Sequence, residues 1–219
     1  MPAPVGKSGQ YAQPTRNHQA FLKADSQLAP NHALSVRYAE QRSRTDNSGV
    51  GGRSTLEYGS SSWSNNHDFT AALTSVFGAT RLNELRVLVA DRPADVVPNT
   101  TGPELLFASS NQGKAYSDPQ GSDERRFEIV DNFSWHITGK GGEHNVKMGV
   151  DYNHTVLDGH FCNYCDGSFT LPKDIYNPND PTTCPTNYTQ RIGSTQYHIP
   201  NISYSAFAQD SWRPKKNLT

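Results

Sequence analysis

The sequence predicts an all-β chain: an antiparallel, up-and-down transmembrane β-barrel, incomplete, with about seven or eight strands of a larger barrel. Three observations carry that reading. No stretch sustains the apolar period of a helix. The longest candidate, Phe69 to Leu88, is interrupted by Phe77-Gly78-Ala79-Thr80, and both halves alternate with period two. Each strand sets Leu, Val, Phe, Tyr and Ala on one face against Arg, Lys, Asp, Glu, Gln, Ser and Thr on the other, which is too charged for a sandwich core. Finally, short turns alternate strictly with long loops.

Composition narrows the alternatives. The 219 residues carry 20 basic and 21 acidic side chains, a net charge of -1, so nothing drives counterion release and no nucleic-acid partner is expected. Mean hydropathy is low, at -0.73. Yet 10 Tyr, 9 Phe and 3 Trp argue against disorder. No apolar window is long enough for a transmembrane helix, a test that β-strands escape. The start, MPAPVGKSGQ, has no basic segment followed by an apolar run, so no signal peptide is visible. The chain is then either cytoplasmic or an internal piece of something larger.

The first strand is expected over 17–27, turning at Leu28-Ala29-Pro30-Asn31 into a second over 32–43. In the second, Leu34, Val36 and Tyr38 share one face; Ser35, Arg37, Ala39 and Gln41 share the other. Residues 44–64, RTDNSGVGGRSTLEYGSSSWS, read as loop that cannot bury a face. The Gly49–Gly52 run sits in its floppy middle, with no following helix to make a phosphate cradle. A third strand over 65–76 sets Phe69, Ala71 and Leu73 against Asp68, Thr70, Ala72 and Thr74. Past a turn at Gly78, the strand over 81–92 opposes Leu85, Val87 and Val89 to Glu84, Arg86 and Leu88.

A second long connection, 93–123, leads to a strand over 124–137 with Phe127, Ile129, Phe133, Trp135 and Ile137 on one face. Asp131 interrupts that face, and no partner for it is evident in the sequence. A tight turn over 138–143, with Gly139–Gly142 supplying positive-φ positions, returns the chain along 144–157. There Val146, Met148, Val150 and Tyr152 oppose Lys147, Gly149, Asp151 and Asn153. The third long connection, 158–200, holds all three cysteines. A last full strand over 201–213 precedes a turn at 214–217 and the start of another strand at Leu218-Thr219.

The long connections, of about 21, 31 and 43 residues, fall at every second position, as in outer-membrane barrels with short periplasmic turns and long outer loops. A strand of about eleven residues, tilted about 40°, covers roughly 27 Å, the height such a barrel needs. Residues 1–16 are a lead-in segment or an extracellular loop, and 17–219 form the partial barrel.

The same segments resemble a known family. NHQAFLKADSQLAPNHALSVRY resembles the first hairpin of the Oar-like branch of TonB-dependent outer-membrane transporters. LNELRVLVADR resembles that family's Asn-Glu-Leu-Arg strand, and DNFSWHITGKGGEHNVKMGVDY resembles its Asp-Asn-x-Ser-Trp hairpin. YSAFAQDSWRPKKNLT resembles its Gln-Asp-x-Trp-Arg strand leading into Asn-Leu-Thr. The resemblance implies location in the bacterial outer membrane, contact with its lipid, and uptake of a large solute of undetermined class: siderophore, glycan or peptide. It also implies energy from a TonB complex acting through a plug domain. No plug, leader or closing aromatic strand is visible, so the chain is expected to be an internal fragment of a barrel of about 22 strands, its Met1 an accident of gene calling or assembly.

Arg37, Glu84, Arg86, Lys147 and Asp151 are the candidates for the lumen face, where they would contact the plug or the solute; a solvated polar face with cross-strand pairing is the plainer account. Cys162-Asn163-Tyr164-Cys165 admits a loop disulfide between Cys162 and Cys165, free thiols, or a metal set of His160, Cys162, Cys165 and Cys184. The eight histidines are otherwise scattered. No catalytic arrangement stands out, so no enzyme and no cofactor are expected. The competing reading is a secreted or cell-surface soluble β-domain that binds glycan or protein through the loop aromatics Tyr58, Trp63, Tyr164, Tyr176 and Tyr188. The two readings differ in whether the apolar faces look outward or meet in a core.

Overall fold

The computed structural model describes residues 10–139 and 141–215. Its main element is a seven-stranded antiparallel sheet built from β1 (Thr15–Ala29), β2 (His32–Ser48), β3 (Ser60–Phe77), β4 (Arg81–Pro98), β7 (Gln120–Gly139), β8 (Gly142–Phe161) and β11 (Gln196–Arg213). These are paired strictly in chain order, with β1 and β11 as the two edges. The long connections contribute β5 (Glu104–Leu106), β6 (Asn111–Gly113), β9 (Ser168–Thr170) and β10 (Asn187–Thr189), which form a second, four-stranded sheet ordered β10-β9-β5-β6. One 3-10 turn, Pro181–Thr183, is capped by the Asp180 side chain, which accepts from Thr182 N.

The seven full strands expected are all present, but each runs past its expected end on the side of the long loops. β2 continues to Ser48, β3 begins at Ser60 and β4 continues to Pro98; β7 begins at Gln120, β8 continues to Phe161 and β11 begins at Gln196. The additions pair with one another, as in Ser62 with Val96 and Gln120 with Phe161. Alternation could not find them, because apolar residues such as Val96, Val97, Phe161 and Tyr197 fall there among Ser, Asp, Gly and Pro without keeping to one face, and period two is visible only where one face is consistently apolar. Residues 44–64 are therefore not loop throughout; 49–59 connect β2 and β3. The expected turn at 214–217 and the strand start at Leu218-Thr219 lie outside the described residues from 216 onward, as does Lys140. Of the lead-in, Thr15 and Arg16 belong to β1, and residues 1–9 lie outside the described residues.

Residues opposite each other across a ladder share a face, so the registers sort the wall into two surfaces. One level of the apolar face runs Leu22, Tyr38, Phe69, Val89 and Phe127 from β1 to β7. The next runs Ala24, Val36, Ala71, Val87, Ile129, Tyr152 and Tyr204. Nothing among the described residues covers this face: Phe69 is 42% exposed, Val150 56% and Tyr204 84%. The two-layer soluble alternative would need a second sheet there. The short sheet instead knits the loops.

Turn chemistry fits the hairpins. Gly78 has φ +65 and an open position, as the three-residue β3–β4 turn requires, and Gly142 has φ +109 in the β7–β8 turn. The expectation that Gly139 also takes positive φ fails: in the closing pair of the ladder, Gly139 with Gly142, only Gly142 takes it. Asp131 gains an account as well. Asn83 Nδ2 donates to its Oδ1 at 2.7 Å from the neighbouring β4, so this carboxylate on the apolar face has a fixed donor. Asn83→Leu should strip that donor and cost about 1–3 kcal/mol, while Asn83→Leu with Asp131→Leu should recover most of the loss. Urea unfolding of the intact protein in lipid vesicles measures both, and equal stability of the two variants would refute the pairing.

Candidate functional site

The wall and the loops above it make one composite site. The apolar face is bounded. On β7 it spans Phe127 to Ile137, and ten strand steps at about 3.3 Å with a tilt near 40° give about 25 Å. Aromatic side chains mark both limits: Tyr38, Phe69, Phe127, Tyr152 and Tyr204 toward the long loops, and Phe77, Trp135 and Trp212 toward the short turns. The Arg81 guanidinium stacks 4.9 Å over Trp135, and Trp212 Nε1 donates to Gly141 O at 2.9 Å. Immediately past the apolar limit this face becomes ionic, with Arg42 paired to Glu40 and Arg125 paired to Asp158.

The five sequence candidates Arg37, Glu84, Arg86, Lys147 and Asp151 all fall on the opposite, polar face. Their ladders demand it: Arg37 opposes Lys23 and Thr70, Glu84 opposes Thr74 and Asn132, Arg86 opposes Ala72 and Val130, and Val130 in turn opposes Asp151. Lys147 opposes Ser134 on the same face. They are spread along it rather than gathered. Arg86 and Asp151 sit at one level but two strands apart, roughly 10 Å, too far for a direct ion pair. Arg37 lies 4.9 Å over the Phe21 ring.

The polar face also holds groups that strand-by-strand reading passed over. Arg92 reaches Asp68 at 3.0 Å and Glu124 at 3.1 Å, tying β3, β4 and β7 together, and Arg126 pairs with Glu128. The signal was present, since Asp68, Arg92 and Glu124 have matching parity near the ends of the expected strands. It becomes readable only once the pairing register is known.

Above the wall the three long connections are ordered, which corrects the reading of 49–52 as floppy. Gly51 bridges Ser54, and Ser54 bridges Asn111 of the next connection. The Arg53 guanidinium donates to Phe107 O at 3.0 Å and to Ala108 O at 2.8 Å. Glu104 closes the assembly. It is 3% exposed, and its carboxylate accepts from Tyr58 Oη at 2.6 Å, from Tyr116 N at 3.4 Å and from Ser168 Oγ, so one side chain draws on all three connections. Lys114, also buried, pairs with Asp166. Burial, and then the bond to Glu104, hold the Tyr58 phenol far above its ordinary value, so it remains a donor. Burial raises the Asp118 carboxyl too, against the opposing bonds from Ser60 and Ser117 and the Lys114 charge. This polar clasp is why a Gly/Ser-rich stretch could be buried without an apolar face, as Thr55 at 2% exposure shows.

Cys162 and Cys165 are joined by a disulfide, and Cys184 is a free thiol near Asp180 O. Tyr164, inside the disulfide ring, takes φ +57 and stacks on Tyr116 with centroids 4.7 Å apart. His160 instead faces Asp95 at 3.6 Å. The four residues of the metal alternative are thus not brought together, and no cluster of three or more His, Cys, Asp or Glu suited to a metal occurs among the described residues. Of the loop aromatics, Tyr58 is used by the clasp, Tyr188 packs on Phe169, Trp63 lies in β3, and Tyr176 is 43% exposed.

Residues 2–219 match the family described as outer membrane beta barrel domain. The chain belongs to that family. Its place is therefore the bacterial outer membrane, whose lipid surrounds it. The fold is similar to that of the outer membrane transporter YddB from Escherichia coli, with a TM-score of 0.61 at 10% sequence identity, over 90% of this chain and 25% of that one. The chain thus spans a quarter of the transporter's length, and at this identity the likeness is one of fold. Comparison with curated proteins finds no match.

The clasp makes a direct test possible. Tyr58→Phe keeps the ring but removes a donor from the Glu104 carboxylate, which should loosen the cap by about 1–3 kcal/mol. Limited proteolysis should then cut 99–119 and 162–195 faster while the wall resists as before. Unchanged cutting would show that the three connections do not depend on Glu104.

Proposed function

We propose that this chain is wall and outer loops of a TonB-dependent, Oar-like transporter that takes up a large solute across the outer membrane. One observation carries the reading: the same sheet presents a bounded, aromatic-flanked apolar band on one face and Arg37, Glu84, Arg86, Lys147 and Asp151 on the other. A band of that height suits hydrocarbon, and a face of that charge suits a wet lumen. The sequence resemblance supports the finer class, and the transporter-like fold supports solute passage. In this reading the polar side chains meet the solute and a plug domain, which couples the barrel to the TonB complex. Residues 17–219 are barrel, and the cap that includes the Cys162–Cys165 disulfide faces the cell exterior.

A barrel of mixed charge does no bond-making chemistry in this scheme; its work is selection and passage. Backbone groups in lipid require ladder partners, so the edges β1 and β11 would be paired with further strands of the closed barrel.

Two measurements on the intact protein test the orientation. Val150→Arg places a cation on the apolar band, at roughly 2–4 kcal/mol near the midplane, and should sharply reduce assembled barrel in the outer membrane; Asp151→Arg should assemble normally and alter only uptake. Equal tolerance at both positions would mean that neither face meets lipid. Impermeant thiol reagents, applied to whole cells after mild reduction, should label Cys162 and Cys165. Labelling only after lysis would invert the topology.

A further inference from the structure

The polar face carries a second feature just beneath the cap. Across β2, β3, β4, β7 and β8 one level reads Ser43, Ser64, Ala94, Ser122 and Gly159, so five neighbouring strands present nothing larger than a hydroxymethyl group. The result is a cavity of about 360 Å³, a size suited to a small ligand or to one unit of a larger one. Ser62, from the level above, adds a fourth hydroxyl. Two rings, Phe161 and Tyr197, close one end. Tyr197 pairs opposite Gly159 and lies across it; a Cβ at Gly159 would sit 2.3 Å from Tyr197 Oη. Its hydroxyl reaches over to Gly121 O at 3.4 Å. Glycine at 159 is what lets the tyrosine ring lie against the wall instead of standing into the lumen.

The chemistry of the lining discriminates among solutes. Neither Lys nor Arg lines the cavity among the described residues; His160, which does, faces the Asp95 carboxylate at 3.6 Å, and Arg92, on the next level down, is already committed to Asp68 and Glu124. An anionic solute or an anionic metal chelate would therefore find no cation ready for it. An apolar solute would strand four serine hydroxyls, each costing what an unmade buried hydrogen bond costs. A neutral ring bearing several hydroxyls satisfies both constraints. Its hydroxyls exchange donors and acceptors with the serines, which can do either, and its C–H face packs on the Tyr197 and Phe161 rings.

We infer that this trough is a saccharide-binding subsite on the solute path, making a neutral oligosaccharide the class of solute that this wall recognises. The inference rests on the reading that the polar face lines that path. Its test uses the full-length protein, extracted from outer membranes in detergent and applied to an array of neutral α- and β-linked hexose and pentose oligosaccharides. Wild type should retain a subset of them. Tyr197→Ala should weaken retention about tenfold or more, Tyr197→Phe should stay within about threefold, and Ser122→Phe, which fills the trough, should abolish it. Barrel assembly is checked by heat-dependent gel mobility, and Ser122→Phe serves if Tyr197→Ala does not assemble. Retention of no neutral glycan, or retention unchanged in assembled Tyr197→Ala and Ser122→Phe, would overturn the subsite. TonB-dependent uptake of an anionic chelate without glycan retention would remove the subsite and leave transport standing. Glycan retention without energised uptake would do the reverse.

Discussion

The wall of this molecule follows from the rule that a backbone amide inside hydrocarbon must find its partner on another strand. Water cannot substitute there, and each orphaned group costs several kcal/mol. Seven strands of 15 to 20 residues meet that demand by pairing in chain order. The ladder imposes a side-chain period of two on all seven together. A one-residue slip of β4 or β8 against its neighbours would carry Arg86 or Lys147 into the apolar band. Charge and register are thus two expressions of a single constraint.

The same constraint explains where the wall changes character. Within the apolar band, the carboxylate of Asp131 on the band face has a dedicated donor in Asn83. Beyond Phe127 and Tyr38 the ladder continues, but the side chains on that face become ion pairs, such as Arg125 with Asp158. Surface pairs of this kind contribute little to stability. Their presence marks the level at which water returns, and from there the backbone could leave the ladder at modest cost. It does so only after several more residues, because the extensions carry the cap.

The cap is held by a different logic. Its centre is polar: a buried glutamate shared by a tyrosine, a serine and a backbone amide, and a buried lysine paired with an aspartate. Phe107 and Leu171, at 4% and 5% exposure, provide the small apolar part. Buried charge is costly unless fully partnered, so a clasp of this kind specifies one arrangement of loops more than it stabilises them.

Period-two alternation in the sequence was enough to determine the wall. Leu34, Val36 and Tyr38 against Arg37, or Val146, Met148 and Val150 against Lys147 and Asp151, could face in only one sense, because unpaired charge is costly in lipid and at home in a wet lumen. The short turns were legible for the same local reason, down to the positive φ of Gly78. What only the tertiary structure decided lies where both faces are wet or the contacts are remote. The strand extensions carry no alternation. Asp68, Arg92 and Glu124 meet across three strands. Glu104 finds Tyr58 and Ser168 at separations of 46 and 64 residues, with no local pattern to announce either. Local periodicity encodes the solvent on each side of a strand; it does not encode which distant polar group will complete a buried hydrogen bond, and that choice belongs to the folded chain.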